Sequence, residues 1–279
     1  MYLLTVNYFS RAWVEQLWQS VDQAQAVLVV VNNAPLDQEI ISWVAEQGSG
    51  VVLLQAGTNL GFGRGCNLGL TWIYDRDRDA VVWLLNPDAR LLPEAIATLS
   101  QILSSHPHIS ILGTVILEPG GKVSFGGGGF NPKSGEILEL QRLPTQITET
   151  AWLSGCSLVL NLAKFATCPE FSPDYFLYYE DFDFCRRYAQ AGHQIWLTPE
   201  LRVIHQGSAI ARQYPLLKLR HQIYGYLISL QKYGAAGVAG WRSGRIFLAA
   251  IAQLPISPGR SLGKLWGLGM FWRFKTRTY

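Results

Sequence analysis

Three carboxylates, Glu180, Asp181 and Asp183, crowd into the aromatic stretch that runs from Phe176 through Tyr178 and Tyr179 to Phe184. Only 15% of the chain is charged, so acid set among rings calls for a reason. A carboxylate at the floor of an aromatic-walled pocket can deprotonate a hydroxyl held against it, which is general-base work. A structural reading competes: the same acids would open a helix and stabilise its positive N-terminal end. A second acidic position, Asp88 in Asn86-Pro87-Asp88-Ala89, directly follows an apolar strand-like run. A carboxylate there suits Mg²⁺ or Mn²⁺ bridging two phosphates, with water filling the remaining positions; the tripeptide alone also reads as a turn.

His205 closes the run Arg202-Val203-Ile204 and precedes Gln206-Gly207-Ser208. Such a histidine is either a hydrogen-bonded structural residue or an imidazole completing the coordination of a metal held by Asp88. The segment Gly61-Phe62-Gly63-Arg64-Gly65-Cys66-Asn67 lies between a strand and a helix. It fits a dinucleotide fingerprint poorly, because Cys66 replaces the third glycine and the unit follows the third strand rather than the first. Its glycines still let backbone approach a ligand, and a helix N-terminus favours an anion. Nucleotide contact is indicated; hydride chemistry is not. Arg186, Arg187, Arg212, Lys218 and Arg220 read as solvated helix faces, one or two of which could neutralise a diphosphate.

These residues need a frame. Apolar strands at Leu3–Asn7, Ala26–Asn32, Val51–Gln55 and Ala80–Leu85 alternate with helices at Ala12–Ala24, Leu36–Gln47, Arg64–Asp75 and Pro93–Ser105. That alternation predicts a mostly parallel sheet flanked by helices, with ligands beyond the carboxyl ends of the strands. Those ends carry Asn7, Asn32-Asn33, Gly57-Thr58-Asn59 and Asn86-Pro87-Asp88, a polar rim on one side. From Leu117 to Thr150, Gly120-Gly121 and Gly126–Gly129 flank short strand-like runs, reading as a surface insertion or a substrate-gating loop. Trp152–Leu160 reads as a buried strand interrupted at Ser154-Gly155-Cys156, and helices rich in Leu, Tyr, Trp, Lys and Arg follow Ile204.

At 279 residues the chain can bury a full core. Its net charge of +3 implies no general affinity for nucleic acid. Cys66, Cys156, Cys168 and Cys185 show no paired metal-ligand spacing and fit reduced thiols. Neither a secretory leader nor an apolar run long enough to span a bilayer is read, so a cytoplasmic location is expected.

Taken in order, VNY (Val6–Tyr8), VVNNAP (Val30–Pro35), NLGFGRGCNLG (Asn59–Gly69), LLNPDA (Leu84–Ala89), LSGCSLVL (Leu153–Leu160), FLYYEDFDFCRR (Phe176–Arg187) and HQGS (His205–Ser208) resemble the family-2 inverting glycosyltransferases, particularly the rhamnosyltransferase-like branch. The resemblance covers roughly residues 1–235. It implies a GT-A fold that binds a nucleoside-diphosphate sugar, such as dTDP-rhamnose or a UDP-sugar, and a glycan or lipid-linked acceptor. It also implies Asp181 as base, and Asp88 and His205 as ligands of Mg²⁺ or Mn²⁺. Asn7, Tyr8, Asn32, Asn33, Asn59, Gly61, Gly63, Asn67 and Asn86 would line the donor site with Asp88; Gly155, Tyr179, Glu180 and Asp183 would face the acceptor. Many members carry Asp where this chain has Asn32, and the DXD-like motif here has one acidic residue.

Inversion at a sugar carbon is a single displacement. It needs one base for the attacking hydroxyl and charge neutralisation for the departing diphosphate, whereas a hydrolase would set two carboxylates about a glycosidic bond. A non-catalytic sugar-nucleotide-binding module and a nucleotidyltransferase are the alternatives. Residues 236–279 form a separate tail whose interleaved aromatics and bases, including Trp241, Arg242, Arg245, Phe247, Arg260, Lys264, Trp266, Trp272, Arg273, Lys275 and Arg277, suit either an anionic membrane surface on the inner face or packing on the catalytic domain.

Overall fold

The computed structural model describes residues 1–207 and 215–275, which leaves Ser208, Arg212 and Arg277 outside the described residues. The first half alternates as its apolar periodicity predicts: β1 (Tyr2–Asn7), α1 (Arg11–Gln19), β2 (Val27–Asn32), α2 (Gln38–Glu46), β3 (Val51–Gln55), α3 (Phe62–Tyr74), β4 (Val81–Leu85), β5 (Ala89–Leu91) and α4 (Ala95–Ser105). Helix α1 ends at Gln19, five residues earlier than its sequence pattern suggested. The second half holds β6 (Ile111–Leu117), β7 (Val123–Phe125), β8 (Gly128–Asn131), β9 (Glu136–Glu139), β10 (Thr148–Glu149), β11 (Ser157–Asn161), α5 (Glu180–Gln190) and β12 (Ile195–His205). Helices α6 (Pro215–Tyr233), α7 (Val238–Gln253) and α8 (Pro258–Lys275) follow.

The main sheet runs β10-β12-β6-β11-β4-β1-β2-β3, with β5 added to β12 and β7 to β6. β3, β2, β1 and β4 run parallel to one another, while β11 runs antiparallel between β4 and β6. The chain walks outward from β1 to β3 and then returns to the other side of β1 as β4. That reversal opens a crevice at the carboxyl ends of β1 and β4, where Asn7 and Asn86-Pro87-Asp88 lie.

Strict alternation along the strands separates two cores. Leu4, Val6, Val29 and Val31 face α3 and α5, meeting Leu70, Ile73, Phe182 and Phe184. Leu3, Leu28 and Val30 face the other way, toward Leu17 and Trp18 of α1, Ile40 and Trp43 of α2, and Leu99 of α4. Each fully buried side chain of this size contributes about 1.5–3 kcal/mol. A third core joins Leu227, Ile228 and Leu230 of α6 to Val238 and Ala239 of α7 and Leu268 and Phe271 of α8. α7 and α8 therefore share a core with α6, on the other side of the boundary drawn at residue 235.

Two readings change. Trp152 makes only an isolated bridge to Gly128, Gly155-Cys156 is a turn, and the strand begins at Ser157. The glycines at 126–129 lie in tight packing: a side chain at Gly126 would meet the Arg142 carbonyl at 1.9 Å, and one at Gly128 would meet the Trp152 ring at 2.3 Å.

Candidate active site

β4 ends at Leu85, and Asn86-Pro87-Asp88 reverses the chain into β5, with the Ala89 N–H donating to the Asn86 carbonyl at 3.1 Å. Proline at the second turn position presets its φ for this reversal. β5 then pairs antiparallel with the end of β12, Ala89 opposite His205. This ladder brings Asp88 Oδ1 to 3.1 Å from His205 Nε2, and Asn86 Nδ2 to 3.4 Å from the same nitrogen, across 119 positions of sequence. Burial alone would lower the His205 pKa, but Asp88 and Cys156 together raise it to about 10. As they stand, the two side chains form an ion pair.

One carboxylate oxygen and one imidazole nitrogen converging at a strand end are the donor types a hard or borderline divalent cation takes. Both side chains keep some exposure, 14% for Asp88 and 17% for His205. Among the described residues no group of three or more His, Cys, Asp or Glu side chains is placed to hold a metal ion. The pair thus fits an ion that shares its coordination with other oxygens such as those of a diphosphate.

Asp181 lies in the first turn of α5. Its Oδ2 accepts the Gly155 N–H at 2.9 Å and its Oδ1 accepts the Phe182 N–H at 2.8 Å. Burial raises its pKa above the usual carboxylate value, and those two N–H donors oppose the rise only in part. Glu180, immediately before, is 5% exposed and its Oε2 has no hydrogen-bond partner. Burial, followed by the charge of Asp181, pushes Glu180 up to about 8. Glu180 therefore stays protonated at neutral pH beside Asp181, whose two N–H donors favour its charged form against the effect of burial.

Asp183 is two residues further, about 200° around the helix from Asp181. It is fully buried against α6, accepting from Lys232 Nζ at 3.0 Å and Tyr233 Oη at 2.9 Å, with Arg187 Nε at 3.5 Å. Its bonds are those of a helix anchor.

The loop entering α5 is unusual. Tyr178 and Tyr179 both adopt left-handed backbone, φ 71° and 69°, which costs non-glycine residues of order 1–3 kcal/mol each. It is clamped from two sides. The Phe176 carbonyl accepts the Phe62 N–H at 3.1 Å and occupies the place a side chain at Gly61 would fill, 2.1 Å from that position. The Tyr178 carbonyl lies 2.5 Å from where a side chain at Gly225 would begin. Gly63 similarly makes room for Phe171. Asn67 completes the clamp, its amide donating to the Phe171 carbonyl at 2.8 Å and accepting the Phe171 N–H at 2.7 Å.

Along the rim, Asn7 is fully buried. It donates to Asn32 Oδ1 at 3.0 Å and Asp37 Oδ2 at 2.9 Å, and accepts from the Ser10 N–H and hydroxyl. Asn32 passes the network on to Gln55 at 3.0 Å. Asn33 donates to the Gly61 carbonyl at 2.7 Å, and the exposed Asn59 accepts the Gly61 N–H at 3.0 Å. Tyr8 and Phe9 stand exposed at the β1 end, their rings edge to face at 5.1 Å. Asp37 escaped the sequence reading because its pattern is that of a helix cap, a role it also fills by accepting the Ile40 N–H. Of the basic residues, Arg187 is tied to Asp183 and the Glu170 carbonyl, Arg186 lies over Phe130, and Arg220 over Trp266.

The turn at Ser154-Gly155-Cys156 joins the two acidic centres. Gly155 donates to Asp181, the Cys156 carbonyl accepts the Asn86 N–H at 3.0 Å, and the Cys156 thiol lies against His205. Asp181 and the Asp88–His205 pair thus flank one dipeptide.

The sheet order and the acids at its strand ends define a GT-A glycosyltransferase fold. No protein-family model matches the chain. In sequence it is similar to the rhamnosyltransferase WbbL of Escherichia coli K12, 20% identical over 219 residues, 74% of this chain and 83% of that protein. It is likewise similar to the low-salt glycan biosynthesis hexosyltransferase Agl10 of Haloferax volcanii, 22% identical over 206 residues, 73% of this chain and 66% of the relative. Among solved structures it matches GalNAc-T7 with UDP, GalNAc and Mn²⁺ (TM-score 0.61, 12% identity), covering all of this chain and 57% of that one. It also matches the mannosyltransferase PcManGT of Pyrobaculum calidifontis with GDP-Man and Mn²⁺ (TM-score 0.55, 13% identity; 99% of this chain, 74% of that one). S. aureus TarS 1–349 follows (TM-score 0.53, 11% identity; 100% and 92%). These likenesses bear out the rhamnosyltransferase-like resemblance read from the motifs.

Proposed function

We propose that the protein transfers a sugar, with inversion, from a nucleoside-diphosphate sugar to a hydroxyl of a glycan or lipid-linked acceptor. The observation that carries this reading is the Gly155-Cys156 turn, which touches Asp181 on one side and Asn86 and His205 on the other. A base and a diphosphate-holding pair on either side of one peptide is the arrangement a single displacement needs. Similarity to a rhamnosyltransferase and a hexosyltransferase supports it, as do two neighbours solved with Mn²⁺ and a nucleotide or nucleotide sugar.

Asp181 takes the proton of the incoming hydroxyl. As the acceptor oxygen bonds to the anomeric carbon, the bond from that carbon to the diphosphate oxygen breaks, and the electron pair leaves with the diphosphate. The Gly155 and Phe182 N–H groups hold the Asp181 carboxylate in one orientation and favour its charged form beside a protonated Glu180. Asp88 and His205 would hold Mg²⁺ or Mn²⁺, whose charge offsets that developing on the leaving diphosphate. Of the residues assigned to the donor, Tyr8, Asn59 and Asn86 stand at the rim, while Asn7, Asn32, Asn33, Asn67, Gly61 and Gly63 shape it from beneath. For most of these asparagines the contribution is to fix backbone, since their amides are engaged internally. Gly155, Tyr179 and Glu180 border the acceptor side.

The test incubates the protein with Mn²⁺, a panel of dTDP- and UDP-sugars and hydroxyl acceptors. Acceptor-dependent release of nucleoside diphosphate supports transfer. Donor binding without release would favour a binding module, and pyrophosphate from a nucleoside triphosphate would favour a nucleotidyltransferase.

A further inference from the structure

All twenty acidic residues of the chain lie before residue 201, beside eleven Lys and Arg; the stretch from 201 to 279 has twelve Lys and Arg and no acid. The last two helices turn this asymmetry into a surface. On α7, Phe247, Leu248, Ile251 and Leu254 recur at helical spacing and are all exposed, Leu248 at 68%. Ile256, 83% exposed, continues the face into the turn before α8, where Leu262 and Trp266 stand exposed one helical turn apart. Arg245, one helical turn before Leu248, links this face to a cavity of about 240 Å³ between α6, α7 and α8. Its floor is Ile223, Tyr226 and Ile246, and its polar lining is cationic: Arg242, Arg245 and Lys264. Among the described residues no carboxylate forms a salt bridge to any of the three; Arg242 donates to the Ser134 carbonyl and Lys264 to Gln253.

We infer that α7 and α8 dock the protein on an anionic phospholipid surface, with a lipid phosphate seated among Arg242, Arg245 and Lys264 and the apolar stripe entering the acyl boundary. An apolar stripe flanked by bases, without one acid, complements a partner that is negative everywhere and oily just beneath. None of the described helices is long and apolar enough to cross a membrane, so the contact is interfacial.

The full chain is sedimented with vesicles of phosphatidylcholine alone and with vesicles containing phosphatidylglycerol. Binding to the second, weak binding to the first and loss of binding as salt rises are expected. Arg245→Gln with Lys264→Gln lowers partitioning roughly 25-fold, about fivefold per cation. Leu248→Ser with Ile251→Ser lowers it by at least about tenfold. Both pairs replace side chains outside the packed core, and an unchanged thermal midpoint verifies folding; were a pair to unfold, the salt dependence of the unaltered chain still decides. The inference falls if the chain stays in the supernatant with phosphatidylglycerol, binds both vesicles alike, or sediments unchanged after both pairs of substitutions. Sedimentation reads binding without turnover, so its failure leaves the proposed transfer standing.

Discussion

The backbone N–H of Gly155 donates to Asp181 Oδ2 at 2.9 Å, fixing the carboxylate from outside its own helix. Asp181→Asn keeps the shape of the side chain and removes its basicity. Turnover is expected to fall by roughly 10²–10⁴-fold, while the donor dissociation constant, read by calorimetry, stays within about twofold. Ordinary turnover in that variant would remove Asp181 from the role of base.

Glu180 titrates with the opposite consequence for folding. Its folded pKa, near 8, lies above the ordinary carboxylate value, so the folded protein binds the extra proton between about 4.5 and 8. Stability from this group is complete below that window and declines as pH rises through it. Glu180→Gln cannot ionise and is expected to flatten the decline, gaining on the order of a few kcal/mol over the parent at pH 8.5. Urea unfolding at pH 5 and pH 8.5 checks it; parallel profiles for the two proteins would contradict the buried, partnerless geometry.

Asp88 and His205 act as a pair. Asp88→Asn and His205→Ala are each expected to weaken Mn²⁺-supported donor binding at least about tenfold, or ~1.4 kcal/mol. Chelation should do the same to the unaltered protein and change neither variant much further. Full donor affinity in excess chelator would exclude the pair from cation binding.

Asp183 separates anchoring from acceptor contact. Its replacement by Ala leaves Lys232 with Asp174 alone, removes the acceptor of Tyr233 and opens a void, and is expected to cost about 1–3 kcal/mol of stability. In the fraction that folds, the acceptor KM should match the parent. A raised acceptor KM at unchanged stability would return Asp183 to the acceptor site.

The parallel core was legible because Leu3, Val29 and Val82 belong to strands buried on both faces, which leave a continuous apolar signature. The acids were legible as an excess of charge among rings. Other features were hidden for physical reasons. Gly61 and Gly63 look alike whether the missing side chain makes room for a ligand or for Phe176 and Phe171; only the fold distinguishes them. The short β5 carries no periodicity of its own, so nothing local announces that it will bring Asp88 to His205. The interruption at Ser154-Gly155-Cys156 is visible in the sequence, but its contacts with Asp181 and Asn86 come from chain far away and leave no local sign.

That three-residue ladder has an evolutionary corollary. Ala89, Arg90 and Leu91 register against His205, Ile204 and Val203, so the cation pair is assembled locally rather than by the length of chain between its members. The intervening hairpin of β8 and β9 forms a separate two-stranded sheet. A change there leaves the register of Asp88 and His205 intact as long as Gly128 keeps its bridge to Trp152 and Phe130 its contact with Phe182.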